Sequence, residues 1–242
     1  MASKPSVPPL RFSGVQPFTR LDYPGLFACI AFLPGCNFRC GYCHNPEFVL
    51  PDLLVKTQAS WVGEEDFVSF LDQRRGKLDG VVISGGEPTL HPGLGTFMCR
   101  VKDMGFKVKL DTNGSRPEIL KSLLDDGCVD YVAMDVKTSL ERYTELVGPC
   151  VKPEAIRESI AIIMDRAPEY EFRTTLLREV HGLSDLQQMA DLVLGAKRYA
   201  LQRFRPATTL DPAFANYSAP DDAELRLIAD VFRPNVQELI LR

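Results

Sequence analysis

The chain has no excess of basic residues: 28 Lys and Arg stand against 32 Asp and Glu, for a net charge of −4. That balance leaves no electrostatic footprint for nucleic acid, which needs clustered lysine and arginine. No apolar run approaches the length that crosses a bilayer. The opening residues Met1-Ala2-Ser3-Lys4-Pro5 lack the apolar stretch of a secretory signal. The seven cysteines follow no regular framework, which suits a reducing compartment. Together these absences predict a soluble, cytoplasmic protein. Internal repeats, low-complexity stretches and clear linkers are also missing, and no Ser/His/Asp or paired-carboxylate arrangement stands out. At 242 residues and 45% hydrophobic, the chain can build one substantial core. The expected layout is an N-terminal arm over residues 1–19, Pro-rich from Lys4 to Leu10, and a single domain over residues 20–242.

What the chain does have is Cys36, Cys40 and Cys43 in the run Gly35-Cys36-Asn37-Phe38-Arg39-Cys40-Gly41-Tyr42-Cys43-His44. This C-x3-C-x2-C spacing puts three thiolates on one tight loop behind the apolar stretch Leu26–Leu33. Three soft ligands with no fourth cysteine nearby suit a [4Fe–4S] cluster with one iron left open. A structural zinc would need His44 as fourth ligand, yet His44 adjoins Cys43, and neighbouring residues seldom reach one tetrahedral ion. A Cys40/Cys43 redox pair would leave Cys36 without a role. The remaining cysteines, Cys29, Cys99, Cys128 and Cys150, read as buried or incidental thiols.

Apolar runs at Leu26–Leu33, Gly80–Ser84, Lys107–Asp111, Tyr131–Asp135, Tyr170–Leu177 and Tyr199–Phe204 predict strands, with Val236–Leu241 as a seventh. Helical patterns lie between them, at Glu64–Gln73, Pro117–Asp125, Pro153–Arg166 and Ser184–Leu194. Strand and helix in alternation predict an α/β fold with a parallel sheet and right-handed crossovers. Periodicity leaves two forms open, a partial barrel and a doubly wound sheet. Polar residues gather where the strands end: the cysteine loop after the first, Ser84-Gly85-Gly86-Glu87-Pro88 after the second, Asp111-Thr112-Asn113-Gly114 at the third, Asp135-Val136-Lys137 at the fourth. Parallel α/β folds place such ends on one rim, where active sites sit.

The cysteine spacing, with aromatic Tyr42 before the last thiol, resembles the radical S-adenosylmethionine (SAM) superfamily. The flanks Asp22-Tyr23-Pro24-Gly25 and Tyr42-Cys43-His44-Asn45-Pro46-Glu47 resemble the activating enzymes of glycyl-radical enzymes, most of all the activases of anaerobic ribonucleotide reductase. The resemblance spans about Arg20 to Pro206. It implies a partial (β/α)6 TIM-type barrel, a [4Fe–4S] cluster on Cys36, Cys40 and Cys43, and SAM bound across Tyr42, Ser84, Gly85, Gly86, Glu87, Asp111, Asp135 and Lys137. In this reading Gly85 and Gly86 admit the ligand closely, and Glu87 faces the methionine ammonium. Asp111 takes the ribose hydroxyls, and Lys137 offsets the methionine carboxylate. Asp111 and Asp135 also help to hold a monovalent cation, while Asp22 positions the target glycine loop, with a capped Pro-Gly turn as its structural alternative. Arg178, His181, Arg203 and Arg205 can face the same rim, as ligands for SAM or for acids of a partner. The related activases often carry a histidine near the last strands, whereas Gln202-Arg203-Phe204-Arg205 has none.

Asn45 to Ile83 contains no cysteine, so electrons must come from an external donor, a flavodoxin or ferredoxin. An open cluster of this kind implies an anaerobic setting. The expected reaction is reductive cleavage of SAM and abstraction of hydrogen from a glycine α-carbon in a glycyl-radical enzyme. Three alternatives stay open: an activase for a pyruvate formate-lyase type of enzyme, a synthase acting on a small molecule such as the one making 7-carboxy-7-deazaguanine, and a zinc-stabilised interaction module without catalysis.

Overall fold

The computed structural model describes residues 8–206 and 208–242. Eight strands form the central sheet: β1 (Gly14–Thr19), β2 (Ala28–Leu33), β3 (Gly80–Gly85), β4 (Lys107–Thr112), β5 (Tyr131–Asp135), β6 (Glu169–Leu176), β7 (Ala196–Arg203) and β8 (Val236–Leu241). Their order across the sheet is their order in the chain, and every pair from β2 to β8 is parallel. A doubly wound sheet reverses strand order at a switch point, and this one does not. The fold is an open, partial TIM-type barrel, with β1 and β8 as its two edges.

Residue parity explains its two apolar layers. Along β2, Cys29, Ala31 and Leu33 face outward and join Val81, Ile83, Val108, Leu110, Val132 and Met134 under the helices. Phe97 and Val101 of the helix Leu94–Asp103, Leu120 and Leu123 of Pro117–Asp125, and Ile156 and Ile160 of Pro153–Arg166 cover them. Each such side chain, fully buried, contributes about 1.5–3 kcal/mol. The alternate residues Ala28, Ile30, Val82, Tyr131 and Ala133 face the barrel interior, where Tyr23 packs against them as a small separate cluster. Two residues further along the same strands, this inward face turns polar at Ser84, Asp111 and Asp135. The barrel is therefore apolar at its strand starts and charged at its strand ends.

The expected arm gives way at Arg11. Arg11–Phe12 pairs with Val62–Gly63, Phe12 is fully buried, and residues 14–19 are the antiparallel edge strand β1. Of the Pro-rich stretch, Lys4–Val7 lie outside the described residues. Of the scattered cysteines, Cys99, on the helix Leu94–Asp103, and Cys128, after the helix Pro117–Asp125, lie side by side with Cα atoms 4.7 Å apart, while Cys29 is a buried free thiol and Cys150 an exposed one. Among the described residues no helix is long and apolar enough to cross a membrane.

Candidate active site

The cysteine loop is fastened from several sides. Gly35 N donates to the Phe48 carbonyl (2.7 Å), closing the loop on itself, and Arg39 N donates to the Val147 carbonyl (2.8 Å). His91 Nε2 donates to the Pro34 carbonyl (2.9 Å). From the far end of the chain, Leu210 N donates to the Cys43 carbonyl (3.0 Å) and Asp211 N to that of Gly41 (2.9 Å). Phe214 lies over Gly41 so closely that a Cβ there would overlap its ring. These contacts bring Cys36, Cys40 and Cys43 to the wall of one cavity of about 240 Å³. Burial pushes the Cys36 thiol up to about 11 and Cys40 up to about 12, and raises Cys43 as well. Such thiols ionise when a metal takes the proton's place. Cys36 Sγ accepts from Phe38 N (3.4 Å) and from Asn113 Nδ2 (3.8 Å), donors of the kind that tune cluster sulfurs.

One observation opposes a zinc reading. His44, its required fourth ligand, donates Nε2 to the Arg205 carbonyl (2.9 Å) and stacks on Phe204.

The Gly85-Gly86-Glu87 turn lines this cavity, and its glycines also admit a close approach of neighbouring backbone. A Cβ on Gly85 would overlap Leu33 backbone, and one on Gly86 would overlap the Gly35 carbonyl. The missing side chains let the turn dock on the end of β2 and the start of the cysteine loop, with Gly86 N donating to the Leu33 carbonyl (2.9 Å) and Glu87 N to that of Gly35 (2.8 Å). Glu87 is fully buried, and its carboxylate is turned inward. It accepts from Thr89 N (3.1 Å), Thr89 Oγ1, Thr112 Oγ1 (2.8 Å) and Asn113 N (2.7 Å). Burial raises its carboxyl above the ordinary range, and those four donors pull it back. Glu87 lines the cavity and ties β3 to β4.

Asp111 and Asp135 do reach the cavity, together with Lys137. Residues that the sequence reading missed hold them there. Arg173, on β6, donates Nε to Asp135 Oδ1 (2.8 Å) and Nη1 to Asp111 Oδ2 (3.5 Å). Lys137 Nζ lies 3.0 Å from Asp135 Oδ2, buried Lys109 pairs with Asp111 Oδ1, and Ser84 Oγ donates to Asp111 Oδ2 (3.2 Å). Burial alone would raise both carboxyls. The cations outweigh it, Arg173 foremost, and hold both below the usual range. All four carboxylate oxygens accept from a cation or a hydroxyl. Parity along Tyr170–Leu177 was the available signal, because Glu171, Arg173 and Thr175 alternate with Tyr170, Phe172 and Thr174 and so share one face.

The other expected residues are dispersed. Asp22 is exposed, accepts from Thr19 Oγ1, and belongs to the turn before β2, at the end of the barrel opposite the cysteines. Tyr23 beside it plugs that end against Tyr131. This is the capped Pro-Gly turn, the structural alternative for Asp22. Arg178 pairs with Glu224 on the surface. His181 is buried and donates Nε2 to the Lys137 carbonyl (2.9 Å), so it positions Lys137 from behind. Arg203 and Arg205 line a neighbouring cavity.

A partial α/β barrel with three unpaired thiols and a charged pocket at its strand ends defines a class, that of barrel enzymes with a cysteine-lined site at the strand ends. The radical SAM superfamily model matches residues 30–193, and the chain belongs to that superfamily and is an enzyme of it. A candidate glycyl-radical enzyme activating enzyme of Methanocaldococcus jannaschii is 33% identical over 235 residues, covering 95% of each chain. A 7-carboxy-7-deazaguanine synthase of Thermococcus kodakarensis is 25% identical over 191 residues, 71% of this chain and 72% of that one. The crystal structure of a domain of pyruvate-formate lyase-activating enzyme from Bacteroides vulgatus shares the fold with a TM-score of 0.53 at 19% identity, covering 67% of this chain and 98% of that one.

The superfamily's [4Fe–4S] cluster and SAM fit the residues present. Cys36, Cys40 and Cys43 would hold the cluster. Asp111, Asp135, Lys137 and Arg173 offer charges of both signs to the zwitterionic and hydroxyl-bearing parts of SAM. Tyr42 lines the same cavity with a buried hydroxyl that has no partner among the described residues, a polar atom awaiting a ligand or water.

Proposed function

We propose that this enzyme activates a glycyl-radical enzyme, with anaerobic ribonucleotide reductase as the partner. The observation that carries the activase part of this reading is the similarity to the candidate M. jannaschii activating enzyme across 95% of both chains. The flanks Asp22-Tyr23-Pro24-Gly25 and Tyr42-Cys43-His44-Asn45 support it. Bound together, the cluster and SAM supply a one-electron cleavage of a carbon–sulfur bond, giving methionine and a 5′-deoxyadenosyl group that abstracts hydrogen. The chain's residues bind, orient and shield these groups. The cysteine loop holds the thiols to one side, the Asp111–Arg173–Asp135 lattice gives the pocket fixed charges, and Phe38, Tyr42 and Val49 exclude water. The electron donor is a flavodoxin or ferredoxin, and the setting is the anaerobic cytoplasm.

The test is electron paramagnetic resonance after anaerobic reconstitution with SAM, reductant and the candidate reductase from the same source. A doublet glycyl signal on the reductase is the expected result. Formation of 5′-deoxyadenosine without that signal would remove the partner and leave the radical chemistry, as a small-molecule synthase requires.

A further inference from the structure

Outside the cysteine loop, the fold brings Cys99 and Cys128 together. Their Cα atoms lie 4.7 Å apart, inside the range of about 4.4–6.8 Å that a disulfide spans. Their surroundings differ. Cys99 is partly exposed and lines a cavity of about 450 Å³ with Thr89, His91, Arg116, Ser122 and Asp126. That volume admits a small organic molecule. Cys128 is buried behind it, 3% exposed, and takes no part in the lining. The Asp126 carbonyl lies 3.5 Å from Cys128 Sγ, so the reduced thiol has an acceptor of its own. One sulfur is thus open to a reagent, and the other is within reach only of its neighbour.

A link between them would join two parts of the reacting rim's support. Cys99 belongs to the helix that follows β3 and the Gly85-Gly86-Glu87 turn, and Cys128 to the segment entering β5, which ends at Asp135. The cavity wall between includes Thr89, a donor to Glu87, and His91, which holds the Pro34 carbonyl at the start of the cysteine loop.

We propose that Cys99 and Cys128 form a thiol–disulfide exchange site for low-molecular-weight disulfides, which enter through this cavity. Intracellular disulfides are mostly transient ones of this kind. The Cys99 thiolate attacks one sulfur of the small disulfide, forming a mixed disulfide and releasing one small thiol, which takes up the Cys99 proton. The Cys128 thiolate then attacks Cys99 Sγ, and the second small thiol leaves with the Cys128 proton. Two protein thiols are oxidised, and one small disulfide is reduced to two thiols. The cross-link closes a loop across 29 residues and braces the shell behind the cysteine loop under oxidising conditions. It opens again when small thiols prevail.

The experiment uses the anaerobically reconstituted enzyme, whose cluster cysteines are occupied, in buffers of hydroxyethyl disulfide and mercaptoethanol at graded ratios. Alkylation and peptide mass mapping should show a linked Cys99–Cys128 species that dithiothreitol removes. Cys128→Ser should instead accumulate the hydroxyethyl mixed disulfide on Cys99, and Cys99→Ser should leave Cys128 unmodified. The melting temperature of the linked wild type should exceed that of the reduced protein by about 5–10 °C, and neither serine variant should show this difference. Absence of the linked species at every ratio would overturn the proposal, and this wild-type result does not depend on either variant folding. An adduct on Cys128 in Cys99→Ser, formed as fast as that on Cys99 in Cys128→Ser, would overturn the entry through the cavity. A linked species without a rise in melting temperature would overturn the bracing.

Discussion

Gly86 and Gly35 meet backbone to backbone: Glu87 N donates to the Gly35 carbonyl at 2.8 Å, and a Cβ on Gly86 would overlap that carbonyl oxygen. The turn after β3 and the start of the cysteine loop therefore form one unit, so the glycine pair shapes the cluster site from behind. Gly86→Ala must push the two segments apart, at a cost of about 1–3 kcal/mol for overpacking. The expected outcome is a lower melting temperature together with less iron and sulfide per chain after anaerobic reconstitution. Wild-type iron content in the variant would mean that the loop seats its cluster without this contact.

Glu87→Gln separates two roles for the acid. As a buried acceptor for four donors, the carboxylate cannot be replaced by an amide without turning an NH2 group toward Thr112 Oγ1 or Asn113 N. A buried donor left facing donors costs about 1–3 kcal/mol. The melting temperature should fall, while SAM affinity of the folded fraction stays near wild type. A direct contact with the methionine ammonium predicts the opposite pattern, a stable protein that binds SAM poorly.

The cysteine spacing and the strand ends were legible because both are local. Tyr131–Asp135 and Val236–Leu241 fall where periodicity puts them, and Ser84, Asp111 and Asp135 do share a rim. Orientation was not legible. Glu87 turns inward because β4 offers it Thr112 and Asn113, partners 25 and 26 residues away. Arg173 reaches Asp111 across 62 residues. Asp22 lies near Cys36 in sequence, but β2 runs between them and carries them to opposite ends of the barrel. Edge strand β1 was hidden because Gly14–Thr19 contains Pro17 and alternates weakly.

Phe214 covers the cysteine loop from a segment more than 160 residues downstream, its ring 6.2 Å from that of Tyr42. Phe214→Ala removes this cover without touching a cysteine. Because the ring is only partly buried, the stability loss should lie below the roughly 3–5 kcal/mol of a fully buried phenylalanine. Iron loss to a chelator should accelerate several-fold, followed by the fading of visible absorbance, and Phe214→Leu should restore most of the protection. Equal rates in wild type and Phe214→Ala would show that the cover does not guard the cluster.

Arg173 pairs with two part-buried carboxylates at once, and its replacement reads out as a change in pH dependence. In the wild type, burial would raise Asp111 and Asp135, but Arg173, with Lys109 and Lys137, holds both below the usual range. A depressed carboxyl contributes stability above its unfolded value of about 4, and loses it only as the pH falls through the folded value. Between pH 8 and 5 these groups leave wild-type stability nearly flat. In Arg173→Met the main opposing cation is gone, burial dominates, and the folded carboxyls move above their unfolded values. Their charged forms then cost stability at neutral pH, by less than the about 3–5 kcal/mol of an uncompensated buried charge, because both are part-exposed and keep Lys109 and Lys137 as partners. Protonation relieves that cost, so the gap in melting temperature from wild type should narrow as the pH is lowered from 8 to 5. Melting curves of the metal-free proteins across that range check it. A gap that stays constant would mean that Asp111 and Asp135 do not depend on Arg173 for their charge.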